Sequence, residues 1–374
     1  MGVVAWQSRR RWAVVVLAVG MLCSVPAVVG AWPVSAPPVD PTVLRDRILA
    51  AGAAEAPYAG YAESDGSLGL PDLPAIDNVG ALLGSHTRLR TWESAAGSRV
   101  DVLTPTGERD LYEQDGHLTA WDFENNVTTD LYGEPGLRLP RAADLVPPRL
   151  ARRLLGGPRG EERLESLPAR RVAGVDAAGL RLVPTDPETT VGHVDVWADP
   201  RTGLPVEVRV TGRGGGAPGL RSRFLDLSQG PGAVPADVVR PPYPDGGARA
   251  ESRVTAVGDR IDRFAPAVLP DRLAGRPSSQ VVAGGQALRT YGQGFSTFGA
   301  IALPGGLAFR VYDAARTSGA QAVALAGGEA MLLRTPLLNL LVVVARGGLG
   351  FVLSGPVALD LLSKAANELL ADQP

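Results

Sequence analysis

Sulfur and lysine are nearly absent from this chain. Its single cysteine, Cys23, excludes any intrachain disulfide, so every exported domain must hold together by burial alone. Cys23 lies inside an apolar run, behind Met21-Leu22 rather than the small residues of a lipidation site, and reads as an inert membrane-embedded thiol. The region after it offers no thiol nucleophile. Lys364 is the only lysine, and arginine does the rest of the basic work. With 37 basic against 39 acidic side chains, neither sign is in the excess that a nucleic-acid footprint requires. The three histidines, His86, His117 and His193, form no HxH or HxxxH pair, so solvated or edge positions explain them better than a metal. A G-x-S-x-G elbow is missing. The glycine-rich 212–216, interrupted by Arg213, lacks the strand-turn-helix setting and the lysine of a phosphate loop. No catalytic residue, metal ligand or cofactor is assigned.

What the chain does have begins with Arg9-Arg10-Arg11 followed by an uncharged run from Trp12 to Val39. That pattern predicts export, through either a signal peptide cut near Val29-Gly30-Ala31 or an uncleaved membrane anchor. In both cases the remainder faces away from the cytoplasm. Asp40-Pro41 then opens an expected helix over 42–54, with Val43, Leu44, Ile48 and Leu49 on one stripe.

The stretch from His86 to Tyr132 reads as five short strands of alternating polar and apolar residues, an antiparallel meander. Its connectors are turn formers, among them Asp115-Gly116 and Asn125-Asn126, which tolerate the positive φ of tight hairpins. Tyr58 to Glu63 supplies a strand before it. Ala142 to Leu155 suggests a helix after it, and further strands are expected at 162–167, 171–183, 192–198, 204–212 and 220–227. About ten strands with two helices to cover them predict a broad sheet that must curl and that keeps an apolar face in need of cover. Residues 243–284, rich in proline, glycine and charge, read as a linker that holds one further candidate strand at 252–257. From 285 to 374 a smaller α+β domain is expected, with the run Leu337 to Val344 buried on both faces and a terminal helix carrying Leu359, Leu362, Ala366 and Leu369.

Trp92, Val102, Trp121, Phe123 and Leu131 are the candidate wall residues of an apolar cavity on the meander, with packing beneath a covering helix as the plainer alternative. The insertion 66–84 recurs in apolar residues while its prolines forbid a long helix. Leu70, Leu73, Ile76 and Leu82 are its candidate lip residues, the plainer reading being an irregular loop tucked on the core.

Leu89-Arg90-Thr91-Trp92, Arg99-Val100-Asp101-Val102-Leu103, Asp115-Gly116 leading to Ala120-Trp121-Asp122, Arg171-Val172-Ala173-Gly174 and Asp199 through Gly203 together resemble the strand motifs of LolA-like lipoprotein carriers and RseB/MucB-type sigma-factor regulators, over residues 42 to 242. The segment Tyr291-Gly292 through Phe298, with Leu353-Ser354-Gly355-Pro356 before the last helix, is similar to the small C-terminal domain of the regulators. The resemblance implies a half-barrel of about eleven antiparallel strands closed by helices, in domain 41–242 behind the segment 1–40, with a cavity for acyl chains. It implies a non-enzymatic protein whose partner is an acylated lipid or lipoprotein, or the outer segment of an anti-sigma factor; the N-terminal apolar run, which would tether it to the membrane, and the 66–84 insertion depart from the carrier pattern. An exported hydrolase on the same scaffold is the remaining alternative, and it would need a base within reach of a Ser or Thr hydroxyl.

Overall fold

Asp40 starts helix α1 (Pro41–Ala53) by accepting hydrogen bonds from the Thr42 and Val43 amides at its carboxylate. The helical segment after the meander is divided. A 3-10 turn at Ala142–Leu145 stops at Val146 (φ −63°, ψ 132°), and α2 (Pro147–Leu155) begins after it. The single helix expected over 142–155 is interrupted because Pro147 excludes helical geometry from the residue before it. The structure, a computed structural model, describes residues 12, 15–16, 34–53, 56–68, 82–133, 140–157, 162–243, 247–253, 267–281 and 287–372. It divides into two units, Met1–Ala36 and Pro37–Pro374. The expected signal or anchor run lies almost wholly outside the described residues. Among those that are described, no helix is long and apolar enough to cross a membrane.

Within the second unit, twelve strands form one sheet: β1 (Tyr58–Gly66), β2 (His86–Ser94), β3 (Gly97–Leu103), β4 (Glu108–Gln114), β5 (His117–Asp122), β6 (Val127–Tyr132), β7 (Glu162–Val172), β8 (Val175–Pro184), β9 (Val191–Ala198), β10 (Pro205–Gly212), β11 (Leu220–Gln229) and β12 (Ala248–Arg253). Their order is β12-β6-β5-β4-β3-β2-β1-β11-β10-β9-β8-β7, with β12 and β7 at the two edges, so the sheet is open. All pairs are antiparallel except β12 with β6. The expected hairpins form where the sequence allows positive φ, at Asp115 (47°) and Gly116 (76°) and at Asn126 (48°).

Register fixes which residues share a side. Ala62, Leu89 and Val102 stand directly opposite one another, as do Thr91, Val100 and Leu111, and on the other half Val208, Val196 and Leu180. This is the side on which α1 and α2 lie. Their Leu44, Ile48, Leu150 and Leu155 join Leu89, Val100, Phe224, Leu180, Val194, Val196 and Val208 in one buried core. Arg45 of α1 ties the helices together: its guanidinium donates to the Leu155 carbonyl at 2.9 Å and pairs with Glu162 at 2.6 Å, all of it buried.

Coverage is partial. At 1.5 Å per residue the 13 residues of α1 and 9 of α2 reach about 20 and about 14 Å, whereas twelve strands about 4.8 Å apart span about 53 Å. Helix α1 packs on β7 and β8, α2 on β10 and β11, and the 3-10 turn on β3.

The second sheet comprises β13 (Arg272–Leu273), β14 (Arg276–Val281), β15 (Leu288–Tyr291), β16 (Phe298–Leu303), β17 (Gln321–Leu325), β18 (Gly328–Arg334), β19 (Asn339–Ala345) and β20 (Gly350–Gly355), in the order β13-β14-β15-β16-β20-β19-β18-β17. Helix α4 (Leu359–Ala371) buries Leu362 and Ala366 against Leu341, Val343 and Phe351 on one side, while α3 (Gly305–Thr317) sets Ala315 on Val342 and Met331 on the other. Strand β19 is thus buried on both faces. The stretch expected as a linker supplies β12 to the first sheet and β13 and β14 to the second. The candidate strand at 252–257 overlaps the end of β12, and its residues 254–257 lie outside the described residues. The connection between β8 and β9 clamps the sheets together: Thr189 Oγ1 lies 2.7 Å from the Phe295 carbonyl and 2.9 Å from that of Pro356, and Arg276 pairs with Glu188 at 2.6 Å and Asp186 at 3.0 Å.

Replacing Arg45 with Met is expected to lower stability by about 3 kcal/mol, because it leaves Glu162 and the Leu155 carbonyl without their partner in a largely buried site. Urea unfolding of the two proteins measures it, and a loss under about 1 kcal/mol would show that the pair contributes little.

Candidate functional site

The candidate wall residues divide between the two sides of the sheet. Val102 and Leu131 lie on the helix side, in register with Leu89 and Leu118 respectively. Trp92 and Trp121 lie on the outer side, opposite Arg99 and Thr128, and Phe123 is 53 % exposed with its ring edge-on to Trp121 at 5.5 Å. Of the lip candidates, Leu70, Leu73 and Ile76 lie outside the described residues. Leu82 is half-buried against the helix-side core. The two ends of the insertion stand side by side, with the Leu68 amide bonded to the Leu83 carbonyl at 3.2 Å.

On the helix side, the hollows beneath α1 and α2 are small. One bounded by Arg45, Leu154, Leu182 and Phe295 and another bounded by Ile48, Tyr58, Pro148 and Leu204 hold about 20 Å³ each, room for roughly one water. Beyond the helices the same side continues over the meander. Val102, Leu111, Leu118, Ala120 and Leu131 are all half-buried there, on strands with which neither α1 nor α2 packs closely. Arg149 of α2 marks the border of the covered part, pairing with Glu93 and Glu113, each at 3.1 Å.

The outer side carries charge. Arg99 pairs with Asp101 at 2.6 Å and Asp110 at 2.7 Å, with Glu108 at 3.8 Å, and its guanidinium lies 5.0 Å from the Trp92 ring and 5.2 Å from that of Tyr112. One carboxylate oxygen from each of Asp101, Glu108 and Asp110 falls within 4.8 Å of the others, a spacing a divalent cation could use. The guanidinium already holds that position. Burial, and after it the neighbouring Asp101 charge, push the Asp110 carboxyl up to about 7. Asp110 stands directly opposite Asp101 across β3 and β4, and it is this register that makes the two acids a pair. A groove of about 390 Å³ adjoins this cluster, lined by Ala59, Tyr61, Arg90, Trp92, Leu103 and Asp226.

The geometry demanded by the hydrolase alternative occurs at Thr119, whose hydroxyl donates to Asp130 at 3.0 Å. Asp130 is also bound by Arg249 at 2.8 Å, and although burial opposes it, the Arg249 and Thr119 bonds hold its carboxyl below the usual range. A carboxylate so stabilised is a weak base. His86 pairs with Asp65 at 2.6 Å on the surface, and His193 lies 3.7 Å from Asp195.

No protein-family model matches this chain, and no curated protein does. Solved structures are similar to it. MucB in complex with MucA(peri) aligns with a TM-score of 0.49 at 16% identity, over 87% of this chain and 97% of that one. The MucA/MucB complex of Pseudomonas aeruginosa gives 0.46 at 16%, over 88% and 97%. A LolA superfamily protein from Nitrosomonas europaea gives 0.26 at 12%, over 54% of this chain and 98% of that one. These are the two groups to which the strand motifs bear a resemblance.

The raised Asp110 carboxyl gives a signed pH dependence. A folded value near 7 above an unfolded value near 3.8 means that stability from the bound proton is complete below about pH 4 and is lost as pH rises towards 7. Melting temperatures measured from pH 4 to 8 should therefore fall more steeply for the native protein than for Asp110→Asn. Parallel curves would place the Asp110 pKa at an ordinary value.

Proposed function

We propose that this chain is an exported, membrane-tethered binding protein without chemical turnover, and that an acyl chain of a lipid or lipoprotein lies on the helix side of its meander. The observation that carries this reading is the half-buried strip of Val102, Leu111, Leu118, Ala120 and Leu131, which continues the core beyond the reach of α1 and α2. Among the described residues, the two hollows under the helices are too small for a fatty tail, which favours β3 to β6 as the place of the guest. Each methylene buried there contributes about 0.8 kcal/mol. Export and tethering rest on Arg9-Arg10-Arg11 and the apolar run after it. A second reading, a regulator that captures the outer segment of an anti-sigma factor, is favoured by the second sheet, which the Thr189 and Arg276 contacts hold against the first. A lipid carrier has no need of that sheet.

The test uses the full chain purified in mild detergent. Native mass spectrometry should show co-purifying lipid, and palmitate at 100 times its dissociation constant should stabilise the protein by about 2.7 kcal/mol. Leu118→Arg or Leu131→Arg should remove that increment while changing the lipid-free melting temperature little, since both positions are partly solvated. Neither bound lipid nor a shift in the native protein would end the acyl-chain proposal.

A further inference from the structure

The outer groove has features that the acyl-chain reading does not use. Most arginines around it are matched: Arg99 with Asp101 and Asp110, Arg209 and Arg221 with Glu207, Arg181 with Asp195, Arg223 with Glu63. Arg90 and Asp226 are not. Neither side chain makes a hydrogen bond or ion pair among the described residues, and both are exposed. They nevertheless occupy matched positions, because Tyr61 of β1 is directly opposite Arg90 of β2 on one side and Asp226 of β11 on the other. Two strand spacings put their α-carbons about 10 Å apart with Tyr61 between them. In the neighbouring row Trp92, Ala59 and Ser228 are aligned in the same way. The small Ala59 between a tryptophan and a serine is what makes the hollow.

A backbone irregularity delivers two of these groups. Alternation along β11 from Arg221 and Arg223 would bring Leu225 to the outer side next. A β-bulge between Tyr61 and Ala62 inserts one extra residue in β11, so Asp226 and Ser228 take those places and Leu225 is left 40 % exposed. Bulges of this kind re-aim side chains. Without it a leucine would face Tyr61 and the groove would carry one charge instead of two of opposite sign.

We propose that this groove docks a polypeptide segment of a partner protein, seating one large apolar side chain over Ala59 against Trp92 between an acidic residue on Arg90 and a basic residue on Asp226. Tryptophan, tyrosine and arginine are the residues that dominate binding energy at protein interfaces, and here all three line one recess. A volume of about 390 Å³ is within the range of specific pockets. The two unmatched charges supply complementarity that a purely aliphatic guest would waste. Because the groove is on the opposite side of the sheet from the acyl strip, each proposal can fail while the other stands.

Three capped heptapeptides serve as probes, with alanine at odd positions, phenylalanine in the middle, and Glu and Lys, Glu and Glu, or Lys and Lys at the second and sixth positions. Fully extended, those charges are about 13 Å apart. Titration calorimetry with the full chain should show the mixed-charge probe binding at least tenfold more tightly than either like-charged one. Arg90→Glu should shift preference to the Lys–Lys probe and Asp226→Arg to the Glu–Glu probe, with melting temperatures unchanged because both side chains are solvated. Ala59→Phe, which fills the hollow, should abolish binding of all three. Equal binding of the three probes, an unaffected Ala59→Phe protein, or no binding at millimolar concentration overturns the proposal. So does capture of phosphatidylethanolamine vesicles in place of the peptides, which would assign the groove to a lipid headgroup.

Discussion

The period of two along a paired strand governs this molecule. Once Leu89 joins the core on the helix side, its neighbours Arg90 and Trp92 are committed to the other, and pairing transmits that choice from β2 through β6 and through β11 to β8. A slip of one residue would exchange the whole of Leu89, Val100 and Phe224 for Arg90, Asp101 and Arg223, so register is strongly held. The same rule makes the two sides chemically unlike. One is aliphatic and only partly roofed. The other is an array of arginines and carboxylates.

The charged side is organised around buried acids. Glu207, 1 % exposed, receives Arg170, Arg209 and Arg221, and the first two of these guanidinium groups also lie 4.4 and 5.2 Å from the Trp197 ring. Burial works against the Glu207 charge, and the arginines overcome it, holding its carboxyl below the ordinary range. Planar guanidinium groups can bind a carboxylate and stack on an aromatic face at once, which an ammonium group does poorly. An arginine-rich, lysine-poor chain is suited to such a surface. At the edge, β7 protects itself with Pro168, Arg163, Glu165 and Arg170, a composition that discourages further strand pairing.

Much of the architecture was legible in the residues. The five meander strands, the Asp115-Gly116 hairpin, the terminal helix and the doubly buried run before Val344 all follow from short-range pattern and turn chemistry. The side to which each alternating set belongs was not legible, since period two defines two sets without saying which is covered. Trp92 and Val102 were therefore grouped by bulk although they point in opposite directions. The break at Val146 was written in Pro147-Pro148, where the apolar stripe drew attention away from it. The pairing of β12 with β6 and the bulge at Leu225 depend on partners far along the chain, and no local window contains them.

The seam between β1 and β11 has a consequence for how the protein reaches this state. Strands β1 to β6 pair with near neighbours in sequence, and so do β7 to β11, but Tyr58 meets Gln229 only after the intervening chain is available. Long-range pairings of this kind close late and slowly. Tyr61, Arg90 and Asp226 come from β1, β2 and β11, so the outer recess straddles that seam and exists only when the two halves have joined. An incompletely folded chain would carry the greasy strip of the meander but not the recess, which makes the recess a marker of the finished molecule.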